Sequence, residues 1–158
     1  MIKQFSFTGA KKIVFGSGSF DDLVQHLHEF AVTRPLVVLD KNLAGTGLRD
    51  RISRLLEQGG MAFDFFDQVE PEPRLEPPDQ RAKRALKRKS DCIIGIGGGS
   101  SLDVAKAVAV LAANKGKAVG YLGLNKIPGP GLPTIMIPTT AGTGSEVTFT
   151  AVFIRKNL

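Results

Sequence analysis

Ile93-Ile94-Gly95-Ile96-Gly97-Gly98-Gly99-Ser100-Ser101-Leu102-Asp103 reads as a buried strand, a glycine turn and the start of a helix. The apolar run from Cys92 to Ile96 is short, rich in β-branched residues and stopped by glycine, which marks a strand buried on both faces. Gly97, Gly98 and Gly99 let the chain turn sharply and let a ligand touch bare backbone. Ser100 is expected to cap the helix, with Asp103 three residues on completing a capping box. The helix continues to about Ala113 and is apolar nearly all round; only Asp103 and Lys106 break it after the cap. These two share a face, either as an ion pair on a wet stripe or as groups beside a bound phosphate or nicotinamide.

Outward from this unit, strands and helices alternate. Lys12 to Phe15 is expected as a short strand. Ser19 and Asp22 then open a helix that runs to about Phe30. Leu36 to Leu39 is a compact apolar strand ending at Asp40. A helix over Leu48 to Gln58 is stopped by Gly59-Gly60. Met61 to Phe66 alternates weakly as a strand, Val69 to Pro73 is a turn segment, and Pro77-Pro78 opens a basic helix. Lys115 to Pro133 is a long glycine- and proline-rich loop, and Thr134 to Ile137 and Val147 to Ile154 are the last strands. The alternation predicts an α/β domain over residues 1–158, with a mostly parallel sheet covered by helices on both faces. Such sheets bind ligands outside the carboxyl ends of their strands. Asp40, Gly97 to Ser100, and Thr139 to Ser145 all fall there.

Thr139-Thr140-Ala141-Gly142-Thr143-Gly144-Ser145-Glu146 is the second glycine- and hydroxyl-rich loop. Its hydroxyls, with Thr148, both donate and accept and so suit phosphate, ribose and carboxamide contacts. Amides at a helix N-terminus hold anions at the positive end of the dipole. Asp40 can accept ribose hydroxyls and repel a 2′-phosphate, or it can simply cap a turn. The pattern is neither the usual dinucleotide fingerprint nor a phosphate loop ending in lysine, since Gly95-x-Gly97-x-x-Ser100 lacks the third glycine.

Other classes of function are disfavoured. The longest apolar run of the C-terminal half, Ala107 to Ala113, is far too short to span a bilayer, and the first residues carry no apolar signal core. With a single cysteine, Cys92, in an apolar run, a reducing, cytoplasmic setting is expected. His26 and His28 are two apart on a helix and point to different faces, so they suit neither a metal nor a nucleophile triad. The net charge of +6 is concentrated in Arg81, Lys83, Arg84, Lys87, Arg88 and Lys89, on a helix whose Ala82, Ala85 and Leu86 turn inward. That is a solvated face; without aromatic residues or a recognised motif it argues against nucleic acid as a partner.

In Gly97-Gly98-Gly99-Ser100-Ser101-Leu102-Asp103-Val104-Ala105-Lys106 and in Ile137-Pro138-Thr139-Thr140-Ala141-Gly142-Thr143-Gly144-Ser145-Glu146-Val147-Thr148, the sequence resembles the iron-containing (group III) alcohol dehydrogenases. Phe15-Gly16-x-Gly18, Leu39-Asp40-Lys41 and Val69-Glu70-Pro71-x-Pro73 support the match in the same order. The first motif is shared with glycerol dehydrogenase and dehydroquinate synthase, and the second argues for the alcohol dehydrogenases. The resemblance implies a Rossmann-like, NAD-binding N-terminal domain. It gives Gly97, Gly98, Gly99 and Ser100 to the pyrophosphate turn and Asp40 to the adenine ribose, favouring NAD over NADP. Asp103 is placed by the nicotinamide, and Thr139, Thr140, Thr143 and Thr148 on the adenine, phosphate and ribose contacts. Family members continue into a helical domain whose aspartate and histidines bind iron or zinc. That domain, and with it every metal ligand and catalytic group, is expected to lie outside this chain. The implied partners are NAD and a small alcohol or aldehyde, with nucleotide binding but no efficient turnover by this part alone. An apolar face left by the missing half predicts self-association.

Overall fold

The structure, a computed structural model, describes residues 9–69 and 76–154. Four strands, β1 (Pro35–Asp40), β2 (Asp64–Val69), β3 (Cys92–Gly97) and β4 (Thr134–Pro138), form one wholly parallel sheet in the order β2-β1-β3-β4. The helices are α1 (Leu23–Glu29), a short α2 (Lys41–Ala44), α3 (Leu48–Gln58), α4 (Glu76–Lys87) and α5 (Gly99–Ala113), with one 3₁₀ turn at Ala118–Tyr121. The α/β, Rossmann-like architecture is therefore the one expected.

Strand alternation sorts the core onto two faces. Val37, Leu39, Ile94 and Ile96 pack with Leu23, Leu27, Ile52 and Leu56 of α1 and α3. Leu36, Val38 and Ile93 pack with Ala85 of α4 and Val104, Ala105 and Val108 of α5. Gly95 lets α5 settle close on β3: a Cβ there would lie 2.7 Å from the Ala105 Cβ and 2.9 Å from the Met136 sulfur. Helix α3 ends where the two glycines require. Gly60 takes a left-handed φ of 68°, its N–H donates to Glu57 O, and Met61 N–H reaches Leu56 O at 3.0 Å.

Four expectations need correction. Lys12 to Phe15 is no strand: no described strand lies alongside to pair with it, and Phe15 is 99% exposed. Ser19 caps nothing, because Gly16 and Gly18, at positive φ, wind the chain into successive turns and α1 begins only at Leu23. Asp22 holds the cap position without a side-chain bond. The second strand starts at Asp64 rather than Met61, whose side chain is instead buried beneath α3. Val147 to Ile154 forms no strand beyond an isolated bridge at Ile154; side chains of α5 hold it instead. The expected turn at Val69 to Pro73 falls, after Val69, outside the described residues.

Asp91 fastens the entry of β1 to that of β3. Its carboxylate accepts the Thr33 N–H and hydroxyl, both at 2.7 Å, and the Arg34 N–H at 2.9 Å. Burial pushes the Asp91 pKa up, but the bonds from Thr33 and Arg34 outweigh it and leave it below the ordinary carboxylate value. A pKa lowered on folding gives stability that is present above the unfolded value and lost as pH falls through the folded one. Asp91→Ala should cost about 2 kcal/mol at neutral pH. The gap in urea midpoint between wild type and variant should narrow as pH falls below the ordinary carboxylate value of about 3.9; a gap constant with pH would show that the charge is not what matters.

Candidate functional site

The chain leaves β1 for β2 on one side and leaves β3 for β4 on the other. The order of the strands therefore reverses between β1 and β3, and in parallel sheets the carboxyl ends at such a switch point are where a ligand crevice forms. Asp40 ends β1 and Gly97 ends β3. Gly97 sits at φ 142°, and a Cβ on it would lie 2.7 Å from Ser101 Oγ and 3.2 Å from the Asp40 Cβ. The backbone there can pass between Asp40 and α5 only because it carries no side chain.

Helix α5 starts earlier than expected. Its N-cap is Gly98, not Ser100, and the cap has no side-chain bond. The Ser101 and Leu102 amides turn back to Gly98 O, while those of Gly99 and Ser100 have no acceptor among the described residues. Two free donors at the positive end of a 15-residue helix are chemically suited to an anion. Ser101, fully buried, leaves its hydroxyl without a partner. Ser101 is absent from the residues expected at the site, although it stands four residues before Ala105 and seven before Val108 on the packed face of α5. A hydroxyl on that packed face, just after the glycine turn, was the available signal.

The second loop closes against the first. Thr139 N–H donates to Gly97 O at 3.0 Å, extending the β3–β4 ladder by one residue. A Cβ on Gly98 would meet Thr140 Oγ1 at 3.4 Å, and one on Gly99 would meet Thr143 Cγ2 at 3.4 Å. Asp40, Gly97, Gly98, Gly99, Ser100, Thr139, Thr140 and Thr143 thus lie together at the carboxyl ends of β1, β3 and β4. Asp40 also caps α2, accepting the Asn42 N–H on Oδ1 at 2.8 Å. Its Oδ2 makes no hydrogen bond among the described residues.

Asp103 and Thr148 are held by protein partners. Asp103 Oδ1 accepts from Ser145 Oγ at 2.5 Å and from Lys106 Nζ at 3.0 Å, and Oδ2 accepts the Val152 N–H at 2.9 Å. The capping box is therefore not formed. Lys106 Nζ also reaches Ser145 Oγ at 2.9 Å, Thr148 Oγ1 at 3.2 Å and Thr150 O at 2.7 Å. The pair is no wet stripe: the two side chains keep only 12% and 13% of their exposure. Burial pushes the Cys92 thiol up to about 12, so it is protonated and inert at neutral pH.

A family model for iron-containing alcohol dehydrogenase matches residues 10–157. The chain belongs to that family. It is 42% identical to long-chain-alcohol dehydrogenase 1 of Geobacillus thermodenitrificans, over 84% of this chain and 34% of the relative. It is 37% identical to sulfoacetaldehyde reductase of Bilophila wadsworthia, over 87% of this chain and 36% of the relative. The crystal structure of sulfoacetaldehyde reductase from Bifidobacterium kashiwanohense in complex with NAD+ superposes with a TM-score of 0.81 at 29% identity. That match covers 92% of this chain and 39% of the other. The chain thus spans about a third of the length of the curated relatives it matches. Among the described residues no group of three or more His, Cys, Asp or Glu side chains is placed to hold a metal ion. No described helix is long and apolar enough to cross a membrane.

Proposed function

We propose that this chain is the dinucleotide-binding unit of a metal-dependent alcohol dehydrogenase, built for NAD. One observation carries the reading: free amides of α5, the unpartnered Ser101 hydroxyl and the Asp40 carboxylate converge on one crevice at the sheet's switch point. The Gly99 and Ser100 amides suit a pyrophosphate. Asp40 Oδ2 suits the adenine-ribose hydroxyls, and its charge disfavours a 2′-phosphate. Thr139, Thr140 and Thr143 offer hydroxyls along the opposite wall. The relative solved with NAD+ supports the choice of cofactor.

In the complete enzyme, hydride passes between an alcohol or aldehyde carbon and the nicotinamide. A metal, iron or zinc, polarises the alcohol oxygen when bound. Its ligands are assigned to the part of the family's length that this chain does not span. The contribution of the present residues is to bind the cofactor and fix its orientation.

The test is a titration of the chain with NADH and NADPH, followed by nucleotide fluorescence. Wild type should prefer NADH. In Asp40→Gly that preference should fall by about tenfold or more, the worth of a charged hydrogen bond. Glycine is itself an acceptable N-cap, so the loss of the bond to Asn42 should cost only a few tenths of a kcal/mol. An unchanged NADH:NADPH ratio would remove Asp40 from the ribose site, and no binding of either nucleotide would overturn the dinucleotide reading.

A further inference from the structure

The stretch from Ser145 to Val152 has no regular secondary structure, yet Ser145 is buried. No sheet ladder fastens it. The bonds that reach it from the rest of the fold come largely from two charged side chains on α5, Asp103 and Lys106, one turn apart. Asp103 takes the hydroxyl at the start of the stretch and the amide at its end. Lys106 takes the hydroxyls of Ser145 and Thr148 and the carbonyl of Thr150.

We infer that Asp103 and Lys106 are a latch: they set the conformation of residues 145–152, and with it the threonine-bearing wall of the crevice, instead of touching the cofactor. Both Asp103 oxygens are already occupied by protein donors, and Lys106 faces more acceptors than it has protons. Lys106 has no proton left for a nucleotide, and Asp103 keeps a single acceptor position on Oδ2, unless the stretch is released. A hydrophobic anchor would hold the stretch less specifically. An ion pair saturated by named backbone and hydroxyl groups fixes one register, because any shift strands a charge in a poorly solvated place. Thr148 belongs to the latch by the same geometry. The part concerning the crevice wall rests on the proposed dinucleotide site; the fastening of 145–152 does not.

Hydrogen exchange of the chain without nucleotide tests the latch. In Lys106→Met and in Asp103→Asn, exchange at Val152 and its neighbours should accelerate about tenfold to a hundredfold, the cost of losing charged hydrogen bonds. The amides of β1 and β3 should keep their protection and so report that the fold survives. Ser145→Ala, which removes only one hydroxyl, should accelerate the same amides by a smaller factor. The double variant Asp103→Asn/Lys106→Met should be less impaired than the two single effects combined, because no unpaired charge remains. NADH affinity should fall in step with the loss of loop protection across the four variants. Unchanged exchange at 145–152 would overturn the latch. So would an affinity loss in Asp103→Asn with the loop still protected, since Asp103 would then contact the cofactor. A wild-type chain that binds no NADH but shows the exchange pattern would retain the latch and overturn only the nucleotide reading.

Discussion

Gly97→Ala should lower the melting temperature by about 10 °C and abolish NADH binding, although it adds one methyl group. Two costs coincide. An alanine at φ 142° is strained by about 1–3 kcal/mol. Its Cβ would also lie 2.7 Å from Ser101 Oγ, 2.8 Å from Ser101 Cβ and 3.2 Å from Asp40 Cβ, so overpacking adds about 1–3 kcal/mol. Ser101 cannot swing aside, being fully buried. Relief must come from moving the first turn of α5 or the end of β1, and both are walls of the crevice. For a chain of this size each kcal/mol is worth about 2–4 °C. Two controls separate the causes. Gly142 has φ 96° but open space around it, so Gly142→Ala should show the strain alone. Gly98, at φ −73° with its nearest neighbour at 3.4 Å, should accept alanine with little loss of stability. A Gly97→Ala protein melting within a degree or two of wild type would refute the crowding.

What could be read in the sequence follows from where the information is local. Strands β1 and β3 lie at the centre of the sheet, and every residue from Leu36 to Leu39 and from Cys92 to Gly97 is buried, so continuous apolar runs announce them. β2 is an edge strand with Asp64, Asp67 and Gln68 in it; its pattern is diluted, and the Met61 expected to start it belongs to the end of α3. The glycine turn was legible, but the exact start of α5 was not. Three glycines allow the helix to begin before the first residue able to cap it, so Ser100 falls inside the first turn and Asp103 is released from any capping role. The 147–154 stretch is illegible for a different reason. Its residues suit a strand, but its partner is a carboxylate 49 residues earlier, on a helix, and no local periodicity encodes a contact of that kind. Ser145 lies within the motif yet does not stand out as an anchor, because a hydroxyl in a glycine-rich loop reads as a ligand contact. Only its burial and its bond to Asp103 show that it faces the protein.

Gly99→Asp should weaken binding strongly while leaving the fold intact. Gly99 is the first residue of α5, partly exposed, and its nearest neighbour across the crevice is Thr143 at 3.4 Å from the Cβ position. The side chain therefore has room in the free protein. A carboxylate in the first turn interacts favourably with the helix dipole, by about 0.3–1 kcal/mol, so the urea midpoint should hold or rise. For a dinucleotide the same carboxylate occupies the anion site and opposes the pyrophosphate charge. The expected loss of NADH affinity is about a hundredfold or more, equivalent to about 3 kcal/mol. Gly99→Asn has nearly the same shape without the charge and divides the loss into steric and electrostatic parts. The electrostatic part should shrink as salt is raised, because it acts across a partly solvated crevice. If Gly99→Asp leaves NADH binding intact while remaining folded, the anion does not sit at the α5 terminus. If Asn and Asp variants lose the same affinity at every salt concentration, the helix end acts by shape alone and its free amides are not the source of the attraction.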